Sequence, residues 1–197
     1  ARAAEDAGMD AVNVTDHPIP DAKWLSRGGH HTLDPFVALT VAATVTTRVR
    51  LQTNLVIVAY RNPFLTAKAV ATLDAVSGGR VVVGTGAGYL RSEFAALGVE
   101  FDERNVLTDE AIDAMKAAWS GEPFDFDGVH FSAENAVALP RPVQRPNPPI
   151  WIGGNSNLAI RRAVERGDGW LPMPSPAGAS RMLRTPPLET VADLRDR

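Results

Sequence analysis

Four short stretches of this chain combine residue types that could do chemistry or hold a charged ligand. The first is AVNVTDHPIP, residues 11–20, where small and branched apolar residues give way to Asp16 and His17. An imidazole beside a carboxylate can donate a hydrogen bond, or take up and return a proton near neutral pH. Plainer uses stand beside that one: His17 can bond a loop carbonyl, and Asp16 can cap a turn. The second stretch carries Thr53 and Asn54 and leads to Tyr60, Arg61 and Asn62. The third is GTGAGY, with Gly86, Ala87, Gly88 and Tyr89. It lacks the full dinucleotide fingerprint, and glycines after a strand also serve as turn residues. The fourth is IGGNS, with Gly153, Gly154, Asn155 and Ser156. Consecutive glycines let backbone N–H groups approach an anion, and a helix starting near Asn157 would direct its positive end there. The same Asn-Ser pair also reads as a helix cap.

Other chemistries are absent or poorly supported. The chain has no cysteine, which removes disulfides, thiolate metal sites and thiol nucleophiles. Neither a G-x-S-x-G elbow nor a P-loop lysine motif occurs. His30 and His31 lie near Asp34, but adjacent histidines rarely share one ion, so no metal site is expected. A net charge of −3 offers no basic excess for nucleic acid. No apolar run reaches the length of a membrane span, and ARAAEDAGMD has neither the basic start nor the apolar core of a signal peptide. The expectation is a cytoplasmic protein acting on a small molecule, with no nucleic-acid or membrane partner.

A repeated order of elements positions the polar stretches. AEDAG reads as the end of a helix closed by Gly8 and leads into AVNVTD. DPFVALTVAATVTT leads into the strand VRLQTNLVIV, and NPFLTAKAVATLDAVSGG into RVVVGTGAG. PPIWIGG, NLAIRRAVERG and DGWLPM complete the series. Asp34-Pro35 and Asn62-Pro63 are helix starts, a capping side chain followed by proline. The five strands are nearly continuous apolar runs, VRLQTNLVIV the least pure of them, as in a parallel sheet buried on both faces. Alternating helix and strand predicts an α/β fold, either an open doubly wound sheet or part of an eight-stranded barrel. All four polar stretches then fall at the carboxyl ends of strands, where such folds bind ligands. Trp119 is expected to pack a helix, and Trp151 to lie in the core.

Residues 120–149 break the rhythm. GEPFDFDGVHF predicts a hairpin turning at Asp127-Gly128, with Val129 and Phe131 on its second arm, and ALPRPVQRPNPP follows as a proline-rich connection. Apart from this insertion, residues 1–197 read as a single domain. ARAAEDAG opens inside one apparent helix and VADLRDR closes inside another, so the chain reads as a fragment.

In combination, TDH after an early strand, YRNPFLTAKAVATLDAVSGGRVVVGTGAGYLRSEFAALG, and PRPVQRPNPPIWIGGNS followed by GDGWLP resemble the luciferase-like monooxygenase superfamily. The resemblance is strongest to the branch dependent on the deazaflavin coenzyme F420. It implies a (β/α)8 TIM barrel, here incomplete, with a first strand before ARAAEDAG and further strands after DGWLP missing from the sequence. It places Asp16 and His17 beside the cofactor ring as the catalytic pair. It puts Thr53, Asn54 and Leu55 at the third-strand site behind the ring, where the family often has a non-prolyl cis peptide. Gly86, Ala87 and Gly88 then line the cofactor chain, and Gly153, Gly154, Asn155 and Ser156 its phosphate. Trp24 and Tyr60 belong to the expected substrate pocket, and a homodimer is implied. The implied activity is hydride transfer between F420 and an organic substrate. FMN-dependent monooxygenation is the alternative, and a barrel that binds a flavin or deazaflavin without turnover is a further one.

Overall fold

The computed structural model describes residues 1–196. Arg197, the last residue of the helix expected from VADLRDR, lies outside the described residues. The strands are β1 (Ala11–Val14), β2 (Arg50–Thr53), β3 (Val81–Thr85), β4 (Phe124–Asp127), β5 (Ser132–Ala136), β6 (Ile150–Gly153) and β7 (Gly169–Leu171). The helices are α1 (Arg2–Asp6), α2 (Ala22–Ser26), α3 (Pro35–Thr44), α4 (Pro63–Ser77), α5 (Arg91–Ala96), α6 (Arg104–Ala118), α7 (Asn157–Arg166), α8 (Ala177–Leu183) and α9 (Val191–Arg195).

The main sheet runs β1-β2-β3-β6-β7, and every pairing in it is parallel. With the β4–β5 hairpin set aside, this is simply chain order. A doubly wound sheet reverses its strand order at one point; this sheet never does, so it is an arc of a (β/α) barrel. Helices α3, α4, α6 and α7 pack on one another in turn, and α3, α4 and α7 lie against β2, β3 and β6. Leu51, Val81, Val83, Ile150 and Ile152 are fully buried between these layers. Each stabilises the fold by about 2 kcal/mol through burial of apolar surface. Local chemistry sets the helix starts. Asp34 caps α3 by accepting from the N–H groups of Phe36 and Val37, and Asn62 caps α4 through Phe64 and Leu65. Trp119 packs as expected, its indole N–H bonding the Ala67 carbonyl.

Several expectations need correction. Only the central strands are buried on both faces; β1 and β7 form the sheet edges and are half-exposed. Trp151 is half-buried, because its partner across the sheet is Gly169, which has no side chain to cover the indole. The strand predicted from VRLQTNLVIV stops at Thr53, where the Asn54–Leu55 peptide is cis. Val56 rejoins through a single bridge to Thr85, and Val58–Tyr60 is a 3-10 turn. The hairpin register pairs Asp127 with Ser132, so residues 128–131 form the loop and Asp127-Gly128 is no two-residue turn. Glu110 on α6 holds this wider loop, accepting from the backbone N–H groups of His130 and Phe131 and from the His130 ring. Asp74, fully buried on α4, anchors the proline-rich connection by accepting from Val143, Gln144 and the Gln144 amide.

Candidate functional site

The strand ends meet at a cavity of about 670 Å³. Residues following β1, β2, β3, β6 and β7 all reach its wall, as expected for a parallel barrel arc. His17 is the best-defined polar group there. Its Nδ1 lies 3.1 Å from Oε2 of Glu93, which α5 carries and which is almost wholly buried. A buried carboxylate accepts, so Nδ1 bears the proton, and Nε2 is left with no protein partner among the described residues. The imidazole is fixed on several sides. Trp24 of α2 lies 4.5 Å from it, and His30 and Tyr89 meet it edge-on at 5.4 Å and 5.9 Å. Its backbone N–H bonds Thr32. The other Glu93 oxygen accepts from the Ile19 backbone N–H, tying the loop after β1 to α5.

Asp16 has a different environment. Arg61 grips both of its oxygens, at 2.8 Å and 3.2 Å, and the Ile57 N–H adds a third bond at 3.3 Å. Its side chain is almost fully buried in this arrangement, although its residue borders the cavity. The ion pair joins the end of β1 to the segment after β2. Of the adjacent pair, the imidazole is therefore the member with an open nitrogen.

The structure brings most of the expected cofactor-side residues to one wall: Asn54, Leu55, Gly86, Ala87, Gly88, Gly153, Gly154 and Ser156. A Cβ at Gly153 would lie 2.3 Å from the Leu55 side chain, so a larger residue there would displace Leu55 from the wall. Ser156 has both uses read from the sequence: it borders the cavity and caps α7 by accepting from the Ala159 N–H. Two expected residues do not reach the wall. Thr53 turns into the sheet and donates to the Gly84 carbonyl, where the absence of a side chain on Gly84 lets the two strands approach closely. Asn155 is fully buried, donating to the carbonyls of Met173 and Pro186 and accepting from the Met173 N–H, so it fastens the segment after β7 to β6. Trp24 supports His17 and lies behind the wall; His30 reaches the cavity and His31 does not.

Tyr60 borders the cavity with a buried hydroxyl that has no hydrogen-bond partner among the described residues. Burial, with Asp16 and Glu93 nearby, pushes its pKa up, so the phenol stays protonated and is a donor only waiting for an acceptor. Sequence reading missed Glu93, Met173, Arg104, Arg162 and Arg184, all at the cavity, while Tyr89, read in the third polar stretch, lies there too. Glu93 did have a signal: it is a carboxylate set directly before the apolar run of Phe94, Ala95 and Ala96 in a short helical stretch.

A parallel arc with a glycine-edged cavity at its strand ends, and a carboxylate-bonded imidazole on the wall, defines the class: an α/β-barrel protein with an open cavity at the carboxyl ends of its strands. The chain belongs to the luciferase-like monooxygenase family, whose profile matches residues 1–185. It is 35% identical over 175 residues to the F420-dependent glucose-6-phosphate dehydrogenase of Nocardia farcinica, covering 85% of this chain and 50% of that protein. The solved structure of monooxygenase RslO1 from Streptomyces bottropensis matches with a TM-score of 0.69 and 32% identity, over 77% of this chain and 44% of that one. A type II Baeyer-Villiger monooxygenase from Pseudomonas putida, in complex with FMN, shares the fold with a TM-score of 0.71 and 21% identity, over 84% and 47% of the two chains. The chain spans about half the length of the curated relatives it matches. No helix among the described residues is long and apolar enough to cross a membrane.

Proposed function

We propose that this chain forms the cofactor-side half of an oxidoreductase that moves a hydride between coenzyme F420 and a small organic substrate. The observation that carries the reading is the His17–Glu93 pair on the cavity wall. Sequence likeness to an F420-dependent dehydrogenase supports the choice of cofactor. The residues fit such a group: Leu55 and Ile57 offer apolar surface to a flat ring, the glycines leave room for backbone to approach it, and the orphaned Tyr60 hydroxyl offers a donor. When bound, F420 supplies the two-electron hydride chemistry. The protein does the rest. Nε2 of His17 takes up or returns the proton that accompanies hydride transfer to or from a substrate hydroxyl or carbonyl. Glu93 holds the ring and stabilises it while it is charged. Asp16, tied to Arg61, positions the segment that presents His17. Gly153, Gly154 and Ser156 receive the phosphate.

An FMN-dependent monooxygenase is the second reading, and the likeness to RslO1, a monooxygenase, favours oxygenation as its chemistry. Fluorescence titrations of the protein with F420 and with FMN separate the two. Tight binding of F420 alone is expected, and preference for FMN would replace the first reading with the second. Replacing His17 with Ala is expected to cut turnover about a hundredfold while cofactor affinity stays within a few-fold. A parent protein that binds the cofactor without any turnover would instead be a carrier.

A further inference from the structure

Part of the cavity wall is rich in arginine and has no role in the chemistry assigned to His17. Arg104 opens α6, Arg184 follows α8, and both border the cavity. Together with Arg91 they converge on one buried ring: their guanidinium carbons lie 4.1 Å, 5.1 Å and 4.2 Å from the Phe101 centroid. Stacking occupies a guanidinium face and leaves its fork of N–H donors for an oxyanion in the guanidinium plane. The carboxylates nearby do not fill that need. Asp102 pairs with Arg91 at 2.7 Å and reaches Arg104 only at 4.0 Å. Glu103 faces His130, and Asp109 is paired with Arg162. Arg104 also donates to the Phe101 carbonyl. The Arg184 guanidinium has no carboxylate or hydrogen-bond partner among the described residues, and the residue holds a left-handed backbone (φ 50°, ψ 37°) that is unfavourable for a residue with a Cβ. Burial and the proximity of Arg184 lower the Arg104 pKa, as expected of like charges held together. An anion between the two would relieve that repulsion.

We propose that Arg104 and Arg184 form an oxyanion subsite of the cavity, which takes a carboxylate or phosphate of the bound ligand. This rests on the reading of the cavity as a ligand site and extends it. The glycine edge at Gly153 and Gly154 already provides for one phosphate, so a further subsite suits a ligand with at least two anionic groups. FMN has a single one. Either the cofactor carries the extra anion on its tail or the substrate carries it.

The test uses the full chain, its Arg184→Gln and Arg104→Gln variants, and Arg184→Lys as the variant that keeps charge but loses the fork. The first arm follows melting temperature against inorganic phosphate, which needs no cofactor. Phosphate is expected to stabilise the parent with an apparent affinity that falls about tenfold in each Gln variant and less in Arg184→Lys. No stabilisation of the parent, or equal stabilisation of parent and Gln variants, overturns the subsite. The second arm titrates F420 and its chromophore stripped of phosphate and tail. Weakening confined to intact F420 assigns the anion to the cofactor; unchanged F420 binding beside a lost phosphate response assigns it to the substrate. If F420 does not bind the parent at all, the hydride-transfer reading fails while the phosphate arm still decides the subsite.

Discussion

Two buried polar side chains at the cavity differ in what they lack, and that difference separates their mutants. Glu93 has a partner on each oxygen, His17 on one and the Ile19 N–H on the other. Replacing it with Gln keeps the shape but removes the charge that stabilises a protonated His17. Turnover is expected to fall about tenfold or more, with cofactor affinity little changed, in steady-state assays set beside a binding titration. Tyr60 has no partner for its hydroxyl among the described residues. An unsatisfied buried hydroxyl costs roughly 1–3 kcal/mol, so Tyr60→Phe is expected to leave the ligand-free protein as stable as the parent or about 1 kcal/mol more stable. If the hydroxyl serves a ligand, the same variant binds that ligand more weakly. A variant destabilised without ligand and unaltered in binding would mean that the hydroxyl has a structural partner.

The elements explain why some of this was legible in the sequence and some was not. The apolar runs of β3 and β6 and the Asp34-Pro35 and Asn62-Pro63 starts announce themselves locally, since burial and capping act within a few residues. The meeting of Glu93 with His17 crosses 76 residues of sequence, that of Arg184 with Arg104 is as distant, and both are decided by how the barrel arc brings its strand ends together. The loop at residues 128–131 escaped for a similar reason: Glu110, on another element, satisfies its backbone. Glu5 shows the same long-range logic with a measurable consequence. Its carboxylate on α1 accepts from the backbone N–H groups of Thr47, Arg48 and Val49 and so fastens α1 to the turn before β2. The Val49, Thr47 and Arg48 bonds hold its pKa down to about 2, against an ordinary value of 4.5. A carboxyl group depressed on folding stabilises the native state above its unfolded pKa, and loses that contribution as pH falls through the folded value. Melting temperatures of the parent and of Glu5→Gln are therefore expected to differ at neutral pH and to converge between about pH 4.5 and pH 2. A difference that stays constant through that window would mean that Glu5 contributes nothing by its charge.

At the scale of the whole molecule, one surface does not fit an isolated chain. Leu33, Val37, Val41 and Val45 follow one another at intervals of four along α3 and its flanks, exposed by 72%, 66%, 62% and 38%. Residues four apart share a helix face, so these side chains form a continuous apolar stripe. The buried residues of α3, Leu39, Ala42 and Ala43, point the other way into the core, which makes the helix apolar on two sides. A helix apolar on two sides has two surfaces to bury, and a stripe of this kind marks an interaction surface. The homodimer implied by the family resemblance would supply the cover, with α3 of one protomer laid against α3 of its partner, because a two-fold interface brings the same patch to itself. Introducing charge into the stripe tests this without touching the cavity. Val37→Glu combined with Val41→Glu is expected to convert a dimeric mass to a monomeric one in light scattering coupled to size exclusion, with F420 affinity retained. Burial of carboxylates facing each other across the axis is costly enough to shift such an equilibrium by several orders of magnitude. A parent of monomeric mass would remove the homodimer, and a variant that stayed dimeric would move the interface away from α3.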